Sequence, residues 1–178
     1  MLDAAADLLA ERGPTATSVR DIATRAGVNH GQVHHYFGGK RELLRQAMAQ
    51  LARNHFEAIK ELSAGRSLPP PLAVGDDQRY VTAALRCTIE GDMELARTEV
   101  DEGVSVSHRV LDRMVERAGL EEPTFEQKLD LAEGTATQLG WLAFEKFLFL
   151  VADVQPDEED AIRDAFIERA YRRGRGEA

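Results

Sequence analysis

Residues 17–37 read TSVRDIATRAGVNHGQVHHYF and contain two short helical patterns on either side of a glycine. In the first pattern, apolar residues recur at helical spacing, at Val19, Ile22, Ala23 and Ala26. Ser18 and Asp21 form the Ser-x-x-acid signature of a helix start, and Gly27 allows a left-handed stop. Asn29 suits the cap of the second helix, which is predicted to extend to about residue 36. The pattern predicts two short helices joined by a tight turn.

The second helix is predicted to show a polar face that carries almost no formal charge. That face holds Asn29, His30, Gly31, Gln32, His34 and His35. A solvated helix face usually carries Lys and Glu, so their scarcity here favours a binding surface. In a DNA major groove, Gln can pair with adenine edges and His can donate to guanine. The residues therefore favour a helix-turn-helix that reads DNA, with its motif over about 18–37.

The rest of the chain also follows a helical period. All six prolines lie between apolar-periodic segments, and no segment alternates apolar and polar residues for long enough to predict a strand. Helices are predicted over about 2–12, 40–62, 78–90, 92–102, 106–118, 124–152 and 156–173, with a loop over 63–78. We predict an all-α fold. Residues 1–45 would form a three-helix DNA-binding domain, and residues 46–178 a larger helical domain for ligand binding and dimerisation.

The charge is unevenly distributed, with a net of −9 over the whole chain. Residues 1–45 hold six basic and five acidic residues, whereas the remainder holds 16 basic and 26 acidic ones. The N-terminal segment is thus the part that can approach DNA. Cys87 is the one cysteine and is expected to be a small buried residue rather than a nucleophile. No apolar run approaches the ~20 residues of a membrane span, and the first residues lack signal-peptide features. We expect a cytoplasmic protein with no membrane partner.

Several short motifs stand at fixed spacings between residues 2 and 48. They are Glu11-Arg12-Gly13, Thr17-Ser18-Val19, Ile22-Ala23, Ala26-Gly27-Val28, Tyr36-Phe37 and Lys40-x-x-Leu43-Leu44. In this combination the segment resembles the TetR family of transcriptional regulators, named for the tetracycline repressor. The resemblance implies a homodimeric regulator, most often a repressor, that binds a near-palindromic double-stranded DNA operator and responds to a small-molecule effector. It implies neither an enzyme nor a cofactor.

The resemblance also implies roles for single residues of the N-terminal domain. Thr17 and Ser18 would open a helix whose N-terminus points at a phosphate. Arg20 would reach a base or a phosphate, although it also suits a solvated helix face. The residues that would face base edges are His30, Gly31 and Gln32. His34 stands where the family usually has a phosphate-contacting Tyr, and Lys40 would hold the backbone beyond the recognition helix.

The apolar helix predicted over 124–152 has small and large residues nearly all round. It fits either a plain core helix or one half of a dimer-forming four-helix bundle, completed by the last helix. The second interpretation is favoured because this helix carries aromatic residues nearly all round, more than a helix with a single core-facing side needs. The resemblance agrees with it. The predicted dimer interface comprises Gly134, Ala136, Gly140, Phe144, Phe147, Ile162 and Phe166.

A pocket for the effector would lie among the middle helices. Its candidate lining residues are His55, Phe56, Ile59, Leu85, Cys87, Ile89, Met93, His108, Met114, Trp141 and Phe144. Each of them, taken singly, suits an ordinary core position better than a pocket wall.

Two other functions remain open at this point. His30 and His34 stand four residues apart and could hold a metal in an enzyme, but the segment lacks the Glu of a zinc-protease helix. We therefore predict no metal site. The chain could also be a helical adaptor that binds only protein, an alternative that the Gly27 turn and the polar face argue against.

Overall fold

The computed structural model describes residues 1–64, 69–73 and 78–174. The regular structure in these ranges is helical and includes no strand, which confirms the all-α prediction. In chain order the helices are α1 (Leu2–Arg12), α2 (Val19–Ala26), α3 (Gly31–Phe37), α4 (Lys40–Leu62), α5 (Arg79–Ile89), α6 (Met93–Ala96), α7 (Thr98–Asp101), α8 (Val106–Ala118), α9 (Phe125–Val151) and α10 (Glu159–Gly174).

The chain divides into two compact units. One comprises Met1–Ile59 with Val74–Ser105, and the other comprises Lys60–Ala73 with Val106–Ala178. The predicted domain boundary at residue 45 lies inside α4, which continues without a break to Leu62. The N-terminal helices therefore share their compact unit with α5, α6 and α7.

A closely packed core holds the first unit together. Its fully buried large side chains include Leu8 and Leu9 of α1, Leu43, Leu44 and Met48 of α4, and Leu95 of α6. Burying one such side chain contributes about 1.5–3 kcal/mol. Ile22 of α2 and Val33 of α3 belong to the same core. Helices of seven or eight residues are marginal in water, so this packing is what holds α2 and α3 in place.

The segment predicted as one helix over 92–102 forms two single-turn helices, so that prediction was wrong. The break lies at Arg97, whose backbone (φ −80°, ψ 0°) lies between the helical and extended regions. Asp92 caps α6, since its Oδ1 accepts a hydrogen bond from the Leu95 backbone N–H at 3.2 Å. The break places Leu95 and Thr98 together in the buried part of the unit.

The second unit contains α8, α9 and α10. Thr124 and Gln127 form the predicted capping box at the start of α9, and Gln127 Nε2 also donates to the Met114 carbonyl at 3.0 Å. Trp141 of α9 stacks on Phe166 of α10, with ring centroids 4.0 Å apart. Among the described residues of these three helices, only Trp141 and Phe149 are buried. No helix in the described ranges is long and apolar enough to cross a bilayer.

Candidate nucleic-acid interface

The start of α2 is fixed by a reciprocal pair of hydrogen bonds. The Ser18 hydroxyl accepts from the Asp21 backbone N–H, and the Asp21 carboxylate accepts from the Ser18 backbone N–H, each at 3.1 Å. The Ser18 hydroxyl also donates to the Asp21 carboxylate at 2.5 Å, and this bond together with that from the Ser18 backbone N–H lowers the pKa of Asp21. The predicted capping box is confirmed. Ser18 stays exposed, whereas two of its polar groups already have a partner.

Thr17 requires a correction. Its side chain is only 1% exposed, and its hydroxyl donates to the Gly13 carbonyl at 2.7 Å, with the Leu8 carbonyl 3.3 Å away. The hydroxyl therefore points into the protein and is not available to a phosphate, so the predicted phosphate contact here is left to the N-terminus of α2. Thr17 instead ties the residues before α2 to the end of α1.

The turn between α2 and α3 has the geometry that the glycine predicted. Gly27 adopts φ 66° and ψ 31°, a left-handed conformation that costs L side chains roughly 1–2 kcal/mol. The Val28 N–H then reaches back to the Ala23 carbonyl at 3.0 Å. Ile22, Ala23 and Val33 are buried around this turn. The two short helices are therefore held at a fixed angle by both backbone and core.

Helix α3 presents the predicted polar face to solvent. All of His30, Gly31, Gln32 and His34 are exposed, as is His35. The helix begins at Gly31, one residue later than a cap at Asn29 implied, and His30 occupies the cap position without a capping hydrogen bond from its side chain. Asn29 still contributes, because its Oδ1 accepts from the Gly31 N–H at 2.8 Å.

Tyr36 is a further candidate that the sequence analysis treated only as part of a motif. Its side chain is 65% exposed at the end of α3, and its ring meets that of His35 edge-on at 4.9 Å. A signal was present in the sequence, because Tyr36 lies four residues after Gln32 and hence on the same helix face.

The cations of the N-terminal region fall into two groups. Arg25 forms two hydrogen bonds with Glu11, at 2.6 and 2.8 Å, and Arg41 lies 2.5 Å from Asp92. By contrast, neither Arg20 nor Lys40 has a carboxylate within ion-pair distance in the part of the chain that the structure describes. Arg20 is exposed and Lys40 half-buried at the first residue of α4. These two side chains are thus available to an external anion.

Residues 1–47 match the family model described as bacterial regulatory proteins, tetR family. This match covers the capped α2, the Gly27 turn and the polar α3. The chain carries a TetR-family N-terminal domain.

Curated relatives support the same assignment for this domain. An HTH-type transcriptional repressor of Mycobacterium tuberculosis is 61% identical over 44 residues, which are 25% of this chain and 23% of that protein. The repressor KstR2 of Rhodococcus jostii is 39% identical over 64 residues, 36% of this chain and 31% of its own. The regulator BetI of Yersinia pestis is 37% identical over 94 residues, 48% of each protein. The chain thus spans between about a quarter and half of the length of these relatives, all three of which are named as HTH-type transcriptional repressors or regulators.

Solved structures align over nearly the whole chain. A TetR-family transcriptional regulator from Streptomyces coelicolor covers 95% of this chain and 96% of its own, with 23% identity and a TM-score of 0.45. A tetR-family regulator from a Shewanella species covers 94% of each chain, with 19% identity and a TM-score of 0.49.

Outside the TetR-family domain, the predicted pocket residues are divided between the two units. The last four of them, from His108 onward, belong to the second unit and the others to the first. Cys87 has no exposed surface and packs in the core of the first unit, as expected of a small buried residue. Its burial raises the pKa of the thiol to about 11, in keeping with an inert core residue. Ile89 and Met93 are exposed instead, at 78% and 57%.

The predicted dimer residues lie on α9 and α10. Ala136, Phe144, Phe147 and Ile162 are exposed, and Gly134 and Gly140 are half-buried. Phe166 packs against Trp141 of its own chain, so it contributes to the pairing of α9 with α10. As to the alternative of a metal site, the described residues contain no group of three or more His, Cys, Asp or Glu side chains placed to hold one ion.

Proposed function

We propose that the chain is a TetR-type repressor that binds a near-palindromic operator as a homodimer and releases it when a small-molecule effector binds. One observation carries the proposal. A TetR-family N-terminal domain exposes the uncharged polar face of α3 between two unpaired cations, Arg20 and Lys40. Such a face suits base edges, and the flanking cations suit the phosphates on either side.

The test is a mobility-shift titration on a duplex selected from a random pool. His30→Ala and Gln32→Ala should each weaken binding to that duplex by about 1–3 kcal/mol per lost base contact, and leave binding to random DNA nearly unchanged. Thr24→Ala is the matched control, because Thr24 is exposed on α2 rather than α3. Equal losses on selected and random DNA would remove α3 from base recognition.

The homodimer is supported by the apolar surface of the second unit. Phe144, Phe147, Leu150 and Val151 of α9 are each more than half exposed, and their spacing of three or four residues places them on one face of the helix. Ile162 of α10 is also exposed. A contiguous patch of this kind on a soluble protein marks an association surface. A second copy of the same face would cover it, and a two-fold dimer would then place two α3 helices about 34–36 Å apart, one turn of duplex DNA.

The dimer is tested by light scattering after size exclusion. Phe147→Glu should give monomers, because it places a charge in the buried centre of the proposed interface. Phe125→Glu is a matched control, since Phe125 is 75% exposed on the same helix but lies at its opposite end. If Phe147→Glu remains dimeric, another surface joins the subunits.

Coupling to an effector is supported by contacts inside the first unit. Arg86 Nε of α5 donates to the Ala10 carbonyl of α1 at 2.8 Å, and the Glu90 carboxylate accepts from the Thr15 N–H at 2.8 Å. Arg41 of α4 pairs with Asp92 ahead of α6. A shift of α5 or α6 would therefore move the helix-turn-helix through polar contacts as well as through α4. A coupling of ~1–3 kcal/mol would lower operator affinity by ~5–150-fold.

A further inference from the structure

Glu99 of α7 is a half-buried carboxylate whose partners are hydroxyl groups. The Tyr80 hydroxyl donates to one of its oxygens, and the Ser105 hydroxyl donates to the other at 3.0 Å. No Lys or Arg in the described part of the chain lies within ion-pair distance of it. Its negative charge therefore has two dipoles near it but no counter-charge.

The neighbouring carboxylates show how unusual this is. Asp92 and Glu94 both pair with Arg41, at 2.5 and 2.6 Å. Asp101 pairs with Arg97 at 3.1 Å. Glu102 pairs with Arg53 at 2.6 Å and lies 3.6 Å from Arg45. The segment thus neutralises its other acidic side chains, including more exposed ones, and leaves Glu99 without a cation.

The surroundings of Glu99 make an uncompensated charge costly. Tyr80 is 93% buried, being 7% exposed, and the His55 ring stacks on it at 4.6 Å. Burial and the Glu99 charge raise the pKa of Tyr80, so its hydroxyl remains a proton donor. The adjacent Thr98 hydroxyl is buried and has no hydrogen-bond partner within the described residues. Withdrawing a carboxylate from water in this way disfavours folding unless a cation compensates it.

We propose that Glu99 binds a small organic cation that carries N–H donors, either a protonated amine or a guanidinium. Each carboxylate oxygen has two lone pairs, and the hydroxyls of Tyr80 and Ser105 use one on each oxygen. The remaining lone pairs suit N–H donors, and a charge-assisted hydrogen bond is about twice as strong as a neutral one. Glu99 is only partly buried, so part of the residue stays in contact with solvent. That this cation is the effector of the repressor rests on the proposed function, whereas the binding of the cation to Glu99 does not.

The test is calorimetric titration of the full chain with benzylammonium and with benzylguanidinium, each compared with neutral benzyl alcohol. Glu99→Gln keeps the shape and an acceptor oxygen but removes the charge. It should weaken binding of the cations by about 10- to 100-fold, the range for one hydrogen bond to a charged group, and leave benzyl alcohol unaffected. Asp101→Asn is the matched control, because it removes an equal charge from the same helix at a residue already paired with Arg97.

Three results would overturn the proposal. They are cation binding that Glu99→Gln does not weaken, equal loss in Asp101→Asn, and no saturable binding of either cation to the wild type. Thermal unfolding without ligand gives a second readout. If the Glu99 charge is uncompensated in the free protein, Glu99→Gln should melt no lower than wild type. If Glu99 serves only to hold the fold together, the variant should melt at a lower temperature. Operator affinity of the same preparations is measured separately, so failure of cation binding is distinguished from failure of the repressor assignment.

Discussion

Lys40→Ala should flatten the salt dependence of DNA binding, because Lys40 is an unpaired cation at the first residue of α4. Each neutralised phosphate contributes about −0.9 to the slope of log affinity against log salt concentration. A dimer has two copies of Lys40, so the slope should become shallower by about 1.8. The loss should be the same for selected and random DNA, because a phosphate contact carries no sequence information.

The magnitude follows from the slope. Between about 50 and about 200 mM salt, a fourfold change, a slope difference of about 1.8 corresponds to roughly a 12-fold change in relative affinity. Wild type should therefore bind much more tightly than Lys40→Ala at low salt, and this advantage should shrink about 12-fold at the higher concentration. Fluorescence anisotropy with a labelled duplex at four or more salt concentrations measures both slopes.

Arg25→Ala supplies the matched control for Lys40→Ala. It removes the same charge from the same domain, but the Arg25 guanidinium already donates two hydrogen bonds to the Glu11 carboxylate, at 2.6 and 2.8 Å. Arg25→Ala also leaves Glu11 without its partner, so it should lower DNA affinity, but its slope should stay close to that of wild type because no contact with a phosphate is lost. If the two variants change the slope equally, the effect is one of net charge, and Lys40 makes no phosphate contact.

Three further predictions concern the stability of the first unit. Thr17→Val should lower the free energy of unfolding by about 1–3 kcal/mol in urea titrations, because the Gly13 carbonyl loses its buried hydrogen-bond donor. The same variant should leave the salt slope of DNA binding unchanged. A changed slope would mean that the Thr17 side chain does contact a phosphate. Gly13→Ala should destabilise more than Gly27→Ala, although both glycines have positive φ. An added Cβ at Gly13 would lie 1.9 Å from Glu90 Oε1 and would displace that carboxylate from the Thr15 N–H, whereas Gly27 faces open space. Equal urea midpoints for the two variants would contradict this. Arg45 and Gln46 lower the pKa of Glu42 from 4.5 to about 2, so the stabilisation that the ionised Glu42 gives the fold is present above pH 4.5 and is lost as the pH falls toward 2. In Glu42→Gln the urea midpoint should therefore fall less between pH 4.5 and 2 than in wild type. An acid profile identical to that of wild type would show that solvent screens the pair.

The N-terminal helices could be predicted closely because short-range interactions between neighbouring residues set where they begin and end. Ser18 with Asp21 fixes the start of α2, Gly27 fixes its end, and Lys40–Leu62 follows from an uninterrupted apolar period. Local hydrogen bonds decide these boundaries, and each involves residues no more than five apart. The capping box of α9 was predictable for the same reason.

Features that depend on distant residues were not predictable in this way. The break at Arg97 follows from tertiary packing, since the periodicity of 92–102 alone suits one helix. The burial of Thr17 depends on where α1 ends, and that of Cys87 on the contact between α5 and α1. Glu99 could not be singled out from the sequence, because its lack of an arginine partner only shows once Arg41, Arg53 and Arg97 have been assigned to other carboxylates.

The pairing of charges also explains how a chain with a net charge of −9 can meet DNA. Near the helix-turn-helix, Asp7 pairs with Arg79 of α5 at 2.8 Å, and Glu11 pairs with Arg25. These carboxylates are paired with cations of the same chain at the protein surface, so they offer less repulsion to a phosphate, whereas Arg20 and Lys40 have no carboxylate within ion-pair distance among the described residues. The local field is therefore set by which charges lack partners rather than by the count of acidic and basic residues. It follows that Arg79→Ala, although distant from α3 in sequence, should weaken DNA binding by exposing Asp7, and that the double variant with Asp7→Ala should restore it.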